Sequence, residues 1–375
     1  MRIRNYTLLT VTLAMLAVIY SCVEPFSPPE VNSDENYLVV DGFLNVGNDT
    51  SRIELRRTQN VNQNTNPVSE NGAKVTVEVE NGERYDFTET GDGLYILPPR
   101  SFSTSNKYRL RINTGDGEEY LSDYVAVSLT PAIDSVTYKY NPVQDAVTFY
   151  VNTHDEQGKT QFYRWKFDET WEYVMAYYSA ILIRNDSIVV RPENINRCWN
   201  KRNSGSILLG STVKLSSDII KDLPLALVPV NTNKLHIKYS IRVKQYGLSR
   251  DAFEYWTSLS KTTQGTGSLF DPQPSQVTGN ILNTKNSKTL VFGYFSASTE
   301  TSKRLTIEPR LGTFPRCIAP DTLPISCKQG EECAYTTSSM LLMYWGLRSD
   351  SVLVGPASCT DCRLEGGTTE RPSYW

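Results

Sequence analysis

The chain has 375 residues, with 41 acidic against 38 basic side chains and only two histidines. With charges nearly balanced and no basic stripe, nucleic-acid binding has no electrostatic footprint. His154 and His236 are thin material for a histidine zinc site or a Ser-His-Asp triad.

In chain order, Arg2 and Arg4 precede an uncharged, mostly apolar run from Tyr6 to Tyr20. That run is shorter than the ~20 residues of a comfortable bilayer span. It reads as a secretory leader over residues 1–21, with a short transmembrane anchor as the alternative. It closes on Ile19, Tyr20, Ser21 and Cys22: an aliphatic residue, a variable one, a small one and cysteine. The order resembles the lipobox of bacterial lipoproteins, in which the cysteine thiol is acylated and becomes residue one; Tyr20 is bulkier than the usual occupant. Each buried methylene contributes about 0.8 kcal/mol and one chain alone is marginal, so anchoring at Cys22 takes several acyl chains, palmitate among them. The Pro- and Glu-rich residues 22–35 read as a flexible tether.

Richness in aromatic residues (22 Tyr, 12 Phe and 6 Trp) points to a mainly β protein. From 36 to 130, "AKVTVEV" sets Val75, Val77 and Val79 against Lys74, Thr76 and Glu78, and "KYRLRIN" sets Tyr108, Leu110 and Ile112 against Lys107, Arg109 and Arg111. Both predict strands with one wet face. Asn71-Gly72, Asn81-Gly82, Asp92-Gly93 and Asp116-Gly117 are hairpin signals. The region is expected to form an immunoglobulin-like β-sandwich, with Arg56–Gly72 as a long polar loop and Pro131 as the boundary. Residues 131–375 are expected to form a larger β-rich domain with one or two short helices. In it, "KLHIKYSIRVKQYG" predicts a long strand with one basic face carrying His236, Lys238, Arg242 and Lys244. "SRDAFEYWTSLSKTT" predicts a helix capped by Ser249, with Ala252, Phe253, Trp256 and Leu259 as its apolar stripe. "TLVFGYFSAS" and "KRLTIEP" read as closing strands.

Setting Cys22 aside from the seven cysteines leaves Cys198, Cys317, Cys327, Cys333, Cys359 and Cys362. An even set in an exported chain reads as disulfides, with the C-terminal end stapled and the pairing left open. Cys359 and Cys362 have redox or zinc spacing, but without a second such pair structural bridging is the better reading. An aromatic run supplies Trp165, Trp171, Tyr173, Tyr177 and Tyr178 as candidate ligand contacts; at strand spacing, half of the run is equally expected in the core. No phosphate loop, nucleophile elbow or HExxH motif occurs, so no catalytic residue, metal ligand or cofactor is assigned. A carboxylate pair for glycoside hydrolysis stays open. Asp134-Ser135-Val136, Asp186-Ser187-Ile188, Asp321-Thr322-Leu323 and Asp350-Ser351-Val352 resemble the O-glycosylation motif of exported Bacteroidota proteins.

The stretches "SCVEPF", "YLVVDGFLN", "VKQYGLSRDAFEYWTSLSKTT", "GSLFDPQPSQVTGNI", "VFGYFSAS" and "CTDCRLEGGTTERPSYW" together resemble the Bacteroidota lipoproteins grouped as domain-of-unknown-function family 4249. The resemblance implies a surface-exposed lipoprotein of the outer membrane, often associated with a TonB-dependent transporter. It implies no catalytic residues, and of site residues only Cys22. The expected role is a non-enzymatic accessory that binds an unknown ligand for such a transporter; an adhesin or structural surface protein is the alternative.

Overall fold

In a computed structural model, residues 36–59, 68–184, 187–263, 277–312, 317–324, 340–345 and 351–375 are described. The leader, Cys22, the tether, Cys327, Cys333 and most of "GSLFDPQPSQVTGNI" lie outside them. Among the described residues no helix is long and apolar enough to cross a membrane.

The chain folds into mostly antiparallel strands around two main cores. Alternation at Leu38, Val40, Val75, Val77, Tyr108, Leu110 and Ile112 supplies the first core. Its sheet is a 13-stranded network in which Leu38–Asn45 pairs with Ser51–Arg57, and Lys107–Asn113 pairs with Lys74–Val79 and Glu119–Ser122. Residues 36–130 do not complete this network alone. Ile281–Asn283 pairs with Glu119–Ser122, Val291–Gly293 runs parallel to Leu38–Asn45, and Ala297–Ser298 lies parallel to both Leu38–Asn45 and Val125–Ser128. Pro131 is therefore no boundary for this sheet. The returning segment satisfies backbone groups that the earlier strands would leave open at their edges.

The second core lies between two antiparallel sheets. One holds Ile133–Asn141, Ala146–His154 and Ile219–Pro229; the other is built on Phe162–Val174, flanked by Arg197–Asn203, Leu208–Ser211, Lys238–Gly247 and Glu300–Ile307. Phe149, Val151, Tyr163, Trp165, Tyr239, Ile241 and Val243 fill the space between them. Gly210 passes so close that a Cβ there would stand 2.9 Å from the Trp165 ring. The Trp165 indole N–H donates to Gln245 Oε1 at 2.8 Å, and Gln245 Nε2 donates to Thr153 Oγ1 at 3.0 Å and to the Pro131 carbonyl at 2.9 Å. One fully buried amide thus ties both sheets to the Pro131 link.

The helix spans Arg250–Thr263 as expected, and Ser249 Oγ accepts from the Ala252 N–H at 3.2 Å. It buries Ala252, Tyr255 and Trp256. At the C-terminal end, Asp321–Pro324, Met340–Trp345 and Ser351–Pro356 form a three-stranded sheet. Cys198 is bonded to Cys362 and Cys317 to Cys359, so the two cysteines of the CxxC bridge separately rather than to each other.

Two local expectations change. Asn71-Gly72 closes no hairpin: Val68–Ser69 pairs with Ser51–Arg57 and Lys74–Val79 pairs elsewhere, so the dipeptide links different neighbours. Asp92-Gly93 is the turn with both residues at positive φ, 52° and 72°. His236 follows a short 3-10 turn, Asn233–Leu235, and the strand begins only at Lys238, so His236 is half-buried instead of on a wet strand face.

The polar face of Lys74–Val79 is wet only at Lys74. Thr76 and Glu78 are both buried. Glu78 accepts from Arg109 Nε at 2.7 Å and Arg111 Nε at 2.8 Å, with Arg84 at 3.2 Å. Burial alone would raise the Glu78 pKa, but the hydrogen bonds from Arg111 and Arg109 outweigh it and hold the carboxyl below its ordinary value. A depressed folded-state pKa gives stability that is present above the unfolded value and lost as pH falls through the folded one. Glu78→Gln is expected to cost about 2 kcal/mol at neutral pH and to flatten the acid limb. Urea midpoints measured from about pH 7 to pH 3 check this: the wild type should lose more stability over that range than the variant.

Candidate functional site

The strand Phe162–Val174 alternates two kinds of side chain. Tyr163, Trp165 and Phe167 point into the second core, and Arg164, Lys166 and Asp168 stand on the outer face. Register continues that face across the neighbouring strand, with Arg164 opposite Tyr246, Lys166 opposite Lys244 and Asp168 opposite Arg242. The basic face expected on Lys238–Gly247 is thus one part of a wider one. At its far end the C-terminal residues lie over it. Tyr374 meets Thr170 Oγ1 at 2.8 Å and sits under the Arg304 guanidinium at 4.0 Å; the Trp375 indole N–H donates to Glu172 Oε2 at 2.8 Å.

The near end of the face meets the first sheet and forms a cleft. Asp41, Gly42 and Phe43 come from Leu38–Asn45, Arg164 and Lys166 from the central strand, and Tyr246 and Leu248 from the next; Trp256 of the helix and Ser296 and Ser298 of the returning segment complete it. Phe43 packs edge-on against Tyr246 with ring centroids 4.9 Å apart. Lys166 Nζ lies 3.5 Å from Asp41 Oδ2, and the Arg164 guanidinium lies over the Trp256 ring at 3.4 Å from its centroid. Arg164 Nε is buried without a hydrogen-bond partner. Burial pushes both cations below their ordinary pKa values, and Asp41 opposes the drop in each; Arg164 and Lys244 add to it at Lys166. Tyr246 is pushed up by burial and by Glu300, whose carboxylate accepts its hydroxyl at 2.7 Å. Including the open mouth, the space is about 360 Å³, and the cavity volume is about 20 Å³.

The predicted aromatic contacts are placed differently. Trp165, Trp171 and Tyr173 are core residues, and none lines the cleft. Tyr177 is half-buried, its hydroxyl donating to the Ile318 carbonyl at 3.0 Å; Tyr178 is exposed, with its ring 6.0 Å from that of Tyr344. The structure does not bring the five together as a platform, because alternation sends the bulkiest rings of the strand inward. The sequence signal for the cleft was the opposite half of "YRWKF". Two cations at alternate positions, between the inward rings of Tyr163, Trp165 and Phe167, must share one surface.

His154 ends the strand Ala146–His154, with Nδ1 2.8 Å from Asp134 Oδ2, and is exposed. Among the described residues no group of three or more His, Cys, Asp or Glu is arranged to hold a metal ion. Asp123, Asp251 and Glu254 line a separate depression beside the helix.

A mainly β chain with a donor-rich cleft at the meeting of two sheet systems is the class that fold and site define. The chain belongs to the domain-of-unknown-function family DUF4249, whose model matches residues 23–304. All the cleft residues fall within that match, and "CTDCRLEGGTTERPSYW" lies beyond it. No curated protein matches the chain. Among solved structures, the chain is similar to the Yersinia pseudotuberculosis adhesin InvE at 13% identity, covering 56% of this chain and 54% of that one, with a TM-score of 0.17. A mutant Salmonella alpha-2-macroglobulin matches at 10% identity over 85% of this chain and 16% of its own, TM-score 0.17. The BSP domain of a biofilm associated protein matches at 7% over 73% and 59%, TM-score 0.15. This chain therefore spans about half the length of the adhesin, and at such TM-scores these likenesses carry no argument.

Proposed function

We propose that the protein is a surface lipoprotein of the outer membrane, anchored through Cys22, that binds a ligand without transforming it and works beside a TonB-dependent transporter. The observation that carries the binding reading is the cleft, where Arg164 Nε is buried with no partner and the Arg164, Lys166, Ser296 and Ser298 donors face one space. A group so placed costs free energy unless something occupies it, which supports a binding site over a purely structural junction. The leader, the lipobox-like run ending at Cys22 and the tether support the anchored location, and family membership is consistent with it. Co-purification from detergent-solubilised membranes tests the partnership: a β-barrel transporter is expected in comparable amount with the native protein. Its absence from preparations that keep other outer-membrane complexes intact contradicts the role.

An adhesin is the second reading. Tyr138, Tyr140 and Val143 stand 49%, 50% and 92% exposed at one hairpin end, a place where a polymer could be held. Deleting the gene separates the two readings: loss of nutrient uptake with adhesion unchanged supports the transporter role, and the reverse supports the adhesin.

A further inference from the structure

Building on the cleft as the binding site, we propose that it is a subsite for one anionic group of the ligand, a carboxylate or a similar small oxyanion. The donor and acceptor inventory points one way. Arg164 and Lys166 carry only donors, and the Ser296 and Ser298 hydroxyls can donate. The one carboxylate lining the space is Asp41, whose side chain is 50% exposed and only 3.5 Å from Lys166. Among the described residues, the Arg164 side chain makes no hydrogen bond or ion pair; it lies over the face of the Trp256 ring and feels the Asp41 charge from further off. Stacking uses the flat face of a guanidinium and leaves its in-plane N–H groups unspent. The edge of Arg164 is therefore pre-oriented by the indole, and its match is the fork of a carboxylate. Lys166 stands two residues along on the same face and supplies a second positive charge. A cavity volume of about 20 Å³ is enough for one or two waters, so one small charged group fits and a whole sugar or peptide does not.

The source of the carboxylate, an acidic sugar or a simple organic acid, is separated by the probes. Glucuronate, acetate and glucose would be titrated into the full mature protein, read by tryptophan fluorescence and by heat. Saturable binding of glucuronate with none of glucose supports the proposal; binding of acetate as well assigns recognition to the carboxylate alone. Arg164→Gln and Lys166→Gln are each expected to weaken binding about tenfold or more. Asp41→Asn is expected to strengthen it a few-fold by removing the competing carboxylate, a gain that a misfolded variant cannot show. No saturable response to either anion up to about 50 mM, where only affinities too weak for a built site remain, overturns the proposal. Equal binding of glucose, or anion binding unchanged in Arg164→Gln, also overturns it. If the transporter co-purifies while no anion binds, this assignment alone fails; if anions bind and no transporter travels with the protein, the partnership alone fails.

Discussion

Replacing both Cys198 and Cys362 by serine is expected to lower the free energy of unfolding by about 5 kcal/mol, and it is the largest single effect anticipated in this molecule. The two positions are 164 residues apart, and closing a loop of that length removes much of the entropy of the unfolded chain. The bridge also sits at a junction that several hydrogen bonds span. Cys362 sits in the second core, its carbonyl accepting from the Tyr173 hydroxyl at 2.7 Å and its N–H donating to the Ile195 carbonyl at 2.9 Å. Beyond it, Thr368 exchanges backbone hydrogen bonds with Trp199. Removing Cys317 and Cys359 instead releases a loop of only 42 residues and is expected to cost about 4 kcal/mol by the same relation. Urea denaturation of the two double variants, compared with the oxidised wild type, checks both size and order. A loss under about 1 kcal/mol for the first would mean that packing and hydrogen bonds alone hold the C-terminal segment.

Trp165→Ala is expected to cost about 4 kcal/mol. The side chain is fully buried, and emptying a site of that size destabilises through lost transfer energy and the cavity left behind. It also leaves Gln245 Oε1 without its indole donor in a place that water does not reach. Trp165→Phe isolates the second contribution: most of the volume stays, the N–H goes, and the expected cost is about 1–2 kcal/mol. Thermal melts of the three proteins give the comparison. Equal stability of Trp165→Phe and wild type would remove the polar tie from the account.

Much of the fold is legible wherever one face of a strand is dry. Tyr108, Leu110 and Ile112, and Tyr239, Ile241 and Val243, are buried at alternate positions as their spacing dictates. The helix from Arg250 is legible through its cap and stripe. Partners are not legible. Ile281–Asn283, Val291–Gly293 and Ala297–Ser298 are two or three residues long, too short to carry a period, and nothing local says that they return to the first sheet. Glu78 was misread because alternation reports polarity, not exposure: a carboxylate met by three arginines can be buried on what looks like a solvated face. The aromatic run marks the core side of its own strand. Trp165, Trp171 and Tyr173 are large enough to be needed there, and the cations Arg164 and Lys166 stand on the other face and line the cleft. Their neighbours in the cleft come from positions near 41, 164, 256 and 296, a juxtaposition that only tertiary structure supplies.

The proposed role rests on a protein held at a membrane through Cys22, and the mass of the mature amino-terminal peptide from native membranes tests that most directly. The account predicts a peptide beginning at Cys22 and carrying a thioether-linked diacylglyceryl group with a further acyl chain on the amine. A peptide with an unmodified Cys22, or one that still retains residues 1–21, would contradict it.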